Sequence, residues 1–306
     1  MRHRKPSIGS PWNSWGSIPE KRMPRLDEDM TAEEHIAAIE AKAEVRTSPC
    51  GDDEMVWHLW GEGEPLVFFH GGFGSWMHWI NNIEYFAEHF QVVCPDIPCH
   101  GDSAMAPEPH DAPNISKILS DGLDHILPPP TRLRLCGFSF GGIMAGNTAV
   151  WQGERVHKLL VVGSNGLDCQ KGPVSGLKDW RKADTEEERL ACHRRNLEVI
   201  MFGDPAKVDD VAVCLQDRNT RRARMKSRHI ASTPALLDAL PKLKGTLLGI
   251  WGEKDIYAEM YMDERRAVFE EVQPGSDFRV IPDAGHWTPY EAAEEFNSMA
   301  LEMLQG

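Results

Sequence analysis

The sequence predicts an α/β fold, in which a mostly parallel central sheet is flanked by helices and carries an inserted helical cap. Three observations predict it. Short apolar runs alternate with helix-compatible segments, most of these runs are continuously apolar, and this alternation of strands and helices is interrupted once. Strands that alternate with helices imply βαβ units and a parallel sheet. Continuous apolar strands suit a sheet that is covered on both faces.

Residues 1–54 are predicted as an N-terminal tail and one helix. Residues 31–45 are compatible with a helix that has Thr31 as its N-cap, and Glu34 stands three residues later, as in a capping box. The apolar face of this helix is predicted to consist of Ile36, Ile39 and Val45. The alternating run Met55–Trp60 is predicted as the strand that opens the core.

The core is predicted to comprise residues 55–166 and 246–306. Its other strands are six apolar runs, namely Leu66–Phe69, Val92–Cys94, Leu133–Cys136, Leu159–Val162, Leu247–Trp251 and Phe278–Ile281. The helix-compatible segments lie near 76–89, 114–126, 140–152, 261–271 and 289–304. Between Val162 and Leu247 no strand is evident and the sequence is charged and helical. Residues 167–245 are therefore predicted as an inserted helical cap, placed where α/β folds bind ligands.

Composition and charge exclude two classes of function. The 306 residues include 33 basic and 47 acidic side chains, a formal net charge of −14, whereas proteins that bind nucleic acids carry a basic face. No apolar run approaches the ~20 residues of a membrane span. We therefore expect a small-molecule substrate, and neither nucleic acid nor a membrane as a partner. The seven cysteines include no C-x-x-C pair, which indicates reduced thiols and a cytoplasmic location.

Positive charge is concentrated at the start of the chain. Residues 1–25 contain six basic side chains against one acid, without the apolar stretch of a secretory signal. Trp12 and Trp15 lie in this otherwise polar segment. It is predicted either as a disordered tail or as an intersubunit contact in a homo-oligomer, and the sequence leaves both interpretations open.

The most specific motif is Gly137–Gly141, which reads G-x-S-x-G. The strand Leu133–Cys136 precedes it and a helix-compatible segment follows, which is the context of a nucleophile elbow. In such an elbow the serine stands on a tight strand-to-helix turn, and the flanking glycines avoid a side-chain clash there. Ser139 is therefore the predicted nucleophile.

A serine nucleophile needs a base and an orienting acid, and in this architecture the acid precedes the histidine in the chain. His286 stands just after the last predicted strand, which singles it out among 13 histidines as the base. Asp255 follows the preceding strand and is the predicted acid. Weaker alternatives for the acid are the other carboxylates that lie near strand ends, namely Glu253, Asp263, Asp283 and Asp168.

The oxyanion of an acyl-transfer intermediate needs backbone N–H donors. The first predicted donor is Phe140, the residue after the nucleophile. The second comes from the glycine-rich loop 70–74, where Gly72 is preferred and Phe73 is the alternative. Glycines let the backbone approach a substrate closely. His70 is predicted to pack this loop rather than to catalyse.

With these motifs, the chain resembles the α/β-hydrolase fold superfamily from about Trp57 to Leu304. The resemblance is carried by His70-Gly71-Gly72, Gly137–Gly141, Asp255 and Gly285-His286. A fifth segment, Asp96–Ser103, is similar to the family's D-x-P-G-x-G-x-S loop, except that Cys99 replaces the first glycine. The resemblance implies a hydrolase on an α/β-hydrolase fold. The departure at Cys99 predicts a local backbone change and a side chain near the pocket.

Within the superfamily, His286-Trp287 followed by Glu291–Asn297 is similar to the meta-cleavage carbon–carbon bond hydrolases. The resemblance implies an arginine in the cap that meets a substrate carboxylate. Arg218 is the predicted residue for that role, and a solvated helix charge is the alternative. The other predicted substrate-binding residues are aromatic, namely Phe73, Phe138 and Trp287.

The predicted function is that of a serine hydrolase that cleaves a small, apolar carboxylic ester or lactone through a Ser-His-Asp triad and an acyl-enzyme. Hydrolysis of a carbon–carbon bond in a meta-cleavage-type dienone is the first alternative. A non-catalytic ligand-binding module on the same fold is the second, because a fold does not settle function. No metal and no organic cofactor is implied.

Overall fold

The central element of the molecule is one eight-stranded sheet. The computed structural model describes residues 30–306, and its strands are β1 (Glu44–Cys50), β2 (Asp53–Trp60), β3 (Pro65–Phe69), β4 (Gln91–Pro95), β5 (Leu133–Phe138), β6 (Val156–Val162), β7 (Thr246–Gly252) and β8 (Asp277–Ile281). Their order across the sheet is β1-β2-β4-β3-β5-β6-β7-β8. The pairs β1–β2 and β2–β4 are antiparallel, whereas all neighbours from β4 to β8 are parallel. The predicted mostly parallel sheet is confirmed.

Helices cover both faces of this sheet. In chain order they are α1 (Ala32–Glu40), α2 (Ile83–Ala87), α3 (Ala112–Ile126), α4 (Phe140–Gln152), α5 (Glu186–Ile200), α6 (Asp210–Arg222), α7 (Arg228–Ala231), α8 (Met262–Val272), α9 (Thr288–Glu291) and α10 (Ala293–Gln305). Along β3, Leu66 and Phe68 belong to one buried apolar cluster, whereas Val67 and Phe69 belong to the other. Because successive side chains of a strand point to opposite faces, this continuous apolar run requires cover on both sides.

The structure differs from the prediction before residue 55. Helix α1 has the expected capping box between Thr31 and Glu34, but it ends at Glu40. The strand β1 follows, so that Val45 is 55% exposed on a strand instead of lying on an apolar helix face. The sheet therefore begins before the predicted core boundary. The reason is that β1 is an edge strand, which lacks the continuous apolar run of the central strands.

The connection between β6 and β7, where the cap is predicted, contains the helices α5, α6 and α7. An ion pair joins the first two, since Arg189 Nε lies 2.6 Å from Asp217 Oδ1. Helix α6 also contacts the loop that follows β3, because Ser75 Oγ donates a hydrogen bond to Asn219 Oδ1 at 2.7 Å. Helix α6 thus lies against a loop at the carboxyl end of β3. The boundaries 167–245 stay a prediction.

Two further predictions concern the tail and the membrane. The basic segment 1–25, with Trp12 and Trp15, lies outside the described residues, and both interpretations of it stay predictions. Within residues 30–306, no helix combines the length and the apolar composition that crossing a bilayer requires.

Candidate active site

Ser139 stands on the turn between β5 and α4. Its φ of 53° and ψ of −117° lie in a region that residues with side chains rarely adopt. A Cβ on Gly137 would lie 2.3 Å from the carbonyl oxygen of Gly141, and a Cβ on Gly141 would lie 2.1 Å from the carbonyl oxygen of Phe69. Backbone packed on backbone therefore requires both glycines of the motif. The turn leaves Ser139 partly exposed at the start of the helix.

Two hydrogen bonds join the three predicted catalytic side chains. His286 Nε2 lies 2.9 Å from Ser139 Oγ, and His286 Nδ1 lies 2.8 Å from Asp255 Oδ2. Asp255 follows β7 and His286 follows β8, so two adjacent parallel strands deliver them to the same edge of the sheet. Asp255 is 1% exposed, and its Oδ1 accepts the backbone N–H of Tyr257 at 2.9 Å. The carboxylate is thus fixed from two sides.

The alternative acids do not occupy this position. All four are exposed, namely Glu253, Asp263, Asp283 and Asp168. Asp283 pairs with Lys254 at 2.7 Å, and Glu253 accepts the backbone N–H of Asp283 at 3.0 Å. Asp255 is therefore the carboxylate that contacts His286.

The two predicted oxyanion donors are neighbours. A Cβ on Gly72 would lie 3.7 Å from Phe140 Cβ and 2.6 Å from Oγ of Ser227, in the predicted cap. Glycine at this position lets the loop pass between the elbow and the cap. Phe140 is the first residue of α4, and a helix leaves its first N–H groups without partners inside the helix. The role of both groups as oxyanion donors stays a prediction.

Two buried histidines hold the peptide groups of Gly71. His70 Nε2 accepts the N–H of Ile97 at 2.9 Å, so the proton of the neutral ring lies on Nδ1, which donates to the Gly71 carbonyl at 2.8 Å. His78 Nδ1 accepts the N–H of Gly71 at 3.1 Å. Burial lowers the pKa of His70 well below its ordinary value and that of His78 to about 3. Both rings are therefore neutral at neutral pH, as these hydrogen bonds require.

The predicted aromatic substrate-binding residues differ in exposure. The ring centroid of Phe138 lies 5.1 Å from that of His286. Trp287 is fully buried, and its indole N–H donates to the carbonyl of His78 at 3.0 Å. Phe73 is partly exposed and has a φ of 58°. Phe138 and Trp287 thus pack beside the triad, whereas Phe73 keeps accessible apolar surface on the glycine-rich loop 70–74.

The structure does not bring Arg218 to the triad. Its guanidinium lies 3.6 Å from the carboxylate of Glu40 on α1, so Arg218 pairs across the contact between α1 and α6. Its neighbour Asn219 contacts Ser75 instead, because adjacent residues of a helix point about 100° apart. Arg218 therefore takes part in the α1–α6 contact, and its role as a substrate-binding residue stays a prediction.

Cys99 lies in the loop that follows β4. Its φ of 71° is the left-handed conformation that favours glycine, so the cysteine takes up the backbone geometry suited to the residue it replaces. Its buried Sγ accepts the backbone N–H of Ala106 at 3.2 Å. The side chain thus packs inside its own loop, and a local change in the backbone relative to the family stays a prediction.

Two residues beside the triad are missed by the motifs. His78 contacts Gly71 through Nδ1, and the Tyr257 ring centroid lies 4.9 Å from that of His286. Tyr257 follows the predicted acid by two residues, which is a usable sequence signal. His78 is one of 13 histidines. Its place beside the active site follows only from the close approach of its helical turn to the glycine-rich loop, which the sequence does not show.

A serine on a strand-to-helix elbow, with a histidine and an aspartate hydrogen-bonded behind it on a mostly parallel sheet, defines the class of α/β hydrolases. The model of the alpha/beta hydrolase family matches residues 66–299. The chain belongs to this family, and it is a hydrolase.

The relatives that match the chain include a hydrolase and a component of an acetyltransferase system. The chain is 27% identical, over 80% of its length, to 2-hydroxy-6-oxo-6-phenylhexa-2,4-dienoate hydrolase of Burkholderia cepacia, of which it covers 88%. It is also 27% identical, over 81% of its length, to the dihydrolipoyllysine-residue acetyltransferase component of the acetoin cleaving system of Pseudomonas putida, but it spans only 65% of that protein. A thermophilic esterase from Thermogutta terrifontis has the same fold, with a TM-score of 0.64 and 21% identity over 86% of this chain and 98% of that one.

Proposed function

We propose that the protein hydrolyses a small carboxylic ester or lactone with an apolar acyl or aromatic group, through an acyl-enzyme on Ser139. The observation that carries this proposal is the unbroken hydrogen-bond chain from Asp255 through His286 to Ser139. The partly exposed ring of Phe73, on the glycine-rich loop 70–74, favours an apolar substrate. Backbone N–H groups and a partly exposed serine at a helix start suit acyl transfer.

In the first half of the proposed reaction, Ser139 Oγ attacks the carbonyl carbon of the substrate while His286 Nε2 takes the serine proton. The electron pair of the carbonyl bond moves to oxygen, and the N–H groups of Phe140 and Gly72 hold this oxyanion. Asp255 stabilises the imidazolium. When the intermediate collapses, the alcohol leaves with the proton from His286.

In the second half, a water molecule attacks the acyl carbon of the enzyme ester. His286 takes a proton from this water and then returns it to Ser139 Oγ as the carbon–oxygen bond to serine breaks. The acid is released and the three side chains regain their starting protonation states. Every proton transfer therefore passes through the imidazole that Asp255 orients.

Hydrolysis of a carbon–carbon bond is the second candidate. The observation that favours it is the similarity to the dienoate hydrolase of Burkholderia cepacia. The position of Arg218 argues for the ester instead, because its guanidinium is engaged with Glu40 and lies at the contact with α1. The ester is therefore the leading substrate class.

The test compares Ser139→Ala with Ser232→Ala, a control at an exposed serine of the same chain. We expect the wild type and the control to hydrolyse short 4-nitrophenyl esters, and Ser139→Ala to fold normally but to be inactive. A dienone substrate is assayed in parallel, and turnover of the dienone alone would replace the ester by the second candidate. A fluorophosphonate probe should label Ser139, and a wild type that is neither labelled nor active would indicate a binding module.

A further inference from the structure

His78 has one ring nitrogen that the fold does not use. Because a backbone N–H only donates, the Gly71 N–H at 3.1 Å requires an unprotonated Nδ1, and the proton of the neutral ring lies on Nε2. Within residues 30–306, Nε2 forms no hydrogen bond. It is not among the buried polar atoms that lack a partner. The Nε2–H group thus keeps access to solvent, although His78 as a whole is only 3% exposed.

The other edge of the ring is closed by the glycine loop. A Cβ on Gly74 would lie 2.4 Å from both Cε1 and Nδ1 of His78. The edge that carries Nδ1 therefore faces the backbone of the loop at close range. Such an approach fixes the orientation of the imidazole and leaves the Nε2 edge as the one that can meet a ligand.

The rings that flank His78 belong to the active site. Its ring centroid lies 5.7 Å from that of Phe138 and 5.1 Å from that of Trp287. Phe138 directly precedes Ser139, and Trp287 directly follows His286. The ring of His78 is therefore flanked by neighbours of the nucleophile and of the base.

We propose that His78 is a specificity-determining residue, whose Nε2–H opens into the cleft above Ser139 and donates a hydrogen bond to an oxygen in the acyl part of the substrate. This inference rests on the proposed esterase function and narrows its substrate class. The preferred ester carries an ether or keto oxygen close to the scissile carbonyl. The acyl part is the relevant one because His78 packs against Phe138, beside the serine to which the acyl group becomes bonded.

The two roles of His78 can be separated by substitution. In His78→Asn, the amide oxygen falls near the position of Nδ1 and can accept the Gly71 N–H, but no donor reaches the position of Nε2. In His78→Gln, the longer side chain brings an amide N–H near the position of Nε2, while the Gly71 N–H loses its acceptor. A purely structural role would not distinguish between substrates that differ in a single acceptor atom.

The experiment measures kcat/KM for 4-nitrophenyl methoxyacetate and for its isostere 4-nitrophenyl butyrate, in which a methylene group replaces the ether oxygen. The intrinsic reactivity of the two esters is the same for every variant, so a change in their ratio reports the contact with the protein. His78→Asn should lower the ratio by about three- to tenfold, the value of one neutral hydrogen bond. His78→Gln should keep the ratio but lower kcat for both esters. The control is His125→Asn at an exposed position of α3, and it should change neither.

The outcomes separate this inference from the proposed function. An active wild type whose ester ratio is unchanged in His78→Asn would overturn the role of His78 and leave the esterase in place. A wild type that hydrolyses neither ester would overturn both. If His78→Asn does not fold, the ester ratio of His78→Gln decides whether His78 donates to the substrate. A lower ratio in His78→Gln than in the wild type would contradict donation, because the glutamine amide N–H should replace Nε2–H.

Discussion

Replacing Asp255 by asparagine is expected to remove most of the activity while the fold stays intact. The side-chain oxygen of asparagine can still accept the Tyr257 N–H, which in the wild type lies 2.9 Å from Asp255 Oδ1. Its NH₂ group then faces His286 Nδ1, which is 2.8 Å from Oδ2 in the wild type. A donor at this place forces the neutral ring to carry its proton on Nε2, 2.9 Å from Ser139 Oγ. That nitrogen can then no longer accept the serine proton.

The expected loss in kcat is about 10⁴-fold, the size of this tautomer effect in serine proteases. At about 1.36 kcal/mol for each factor of ten, the loss corresponds to about 5.4 kcal/mol of transition-state stabilisation. The burial of the site supports the full effect. Because Asp255 is only 1% exposed, water cannot reach His286 Nδ1 to replace the missing acceptor.

The assay follows release of 4-nitrophenolate at neutral pH, with a thermal melt by circular dichroism as the check on folding. Glu253→Gln is the matched control, because it removes a carboxylate two residues away that is exposed and contacts Asp283 rather than the base. The control should retain activity within about twofold, as is usual for a surface substitution. A loss in the Asp255 variant of less than about tenfold, or an equal loss in the control, would refute the reasoning.

Two further predictions concern stability. Gly141→Ala should lower the free energy of unfolding by about 1–3 kcal/mol through overpacking, because its Cβ would overlap the backbone of Phe69. Gly146→Ala should lower it less, because the added Cβ there meets only the side chain of Leu236. A denaturant midpoint that is lower in Gly146→Ala than in Gly141→Ala would contradict this. His58→Phe should flatten the acid dependence of stability. Burial lowers the pKa of His58 to about 4, so the stability that its neutral ring contributes is present above the ordinary pKa of about 6.5 and is lost as the pH falls from there towards about 4. The difference in free energy of unfolding between about pH 7 and about pH 5 should be smaller in His58→Phe than in the wild type, and an equal difference would show that His58 does not contribute.

The central strands could be predicted because burial on both faces produces a continuous apolar run. The strand β3, with the run Leu66–Phe69, is the clearest case. The edge strand β1 could not be predicted in the same way, since most of its residues are exposed and Pro49 interrupts its pattern. Proline is tolerated at an edge, where its missing N–H need not serve a second neighbour. Its pairing with β2 across the two-residue turn Gly51-Asp52 is a hairpin signal, which a search for apolar runs does not use.

The triad could be predicted because each member has a local signal. Ser139 has the glycine pattern of the elbow, and Asp255 and His286 each follow an apolar strand by a few residues. The direction of Arg218 depends on how α6 rotates against α1, where Glu40 lies 3.6 Å away, and no local pattern encodes that rotation. The same holds for His78, whose contact with the glycine loop depends on tertiary packing.

The glycine-rich loop 70–74 and the predicted triad share one physical requirement, namely neutral imidazoles in defined tautomers. His70 must donate from Nδ1 to the carbonyl of Gly71, whereas His78 must accept the N–H of Gly71 at its own Nδ1. Protonation of His78 would set two donors against each other at that contact. Burial prevents this by lowering the pKa of His78 to about 3. The loop beside the nucleophile therefore keeps its hydrogen-bond pattern across the pH range in which an ordinary histidine titrates.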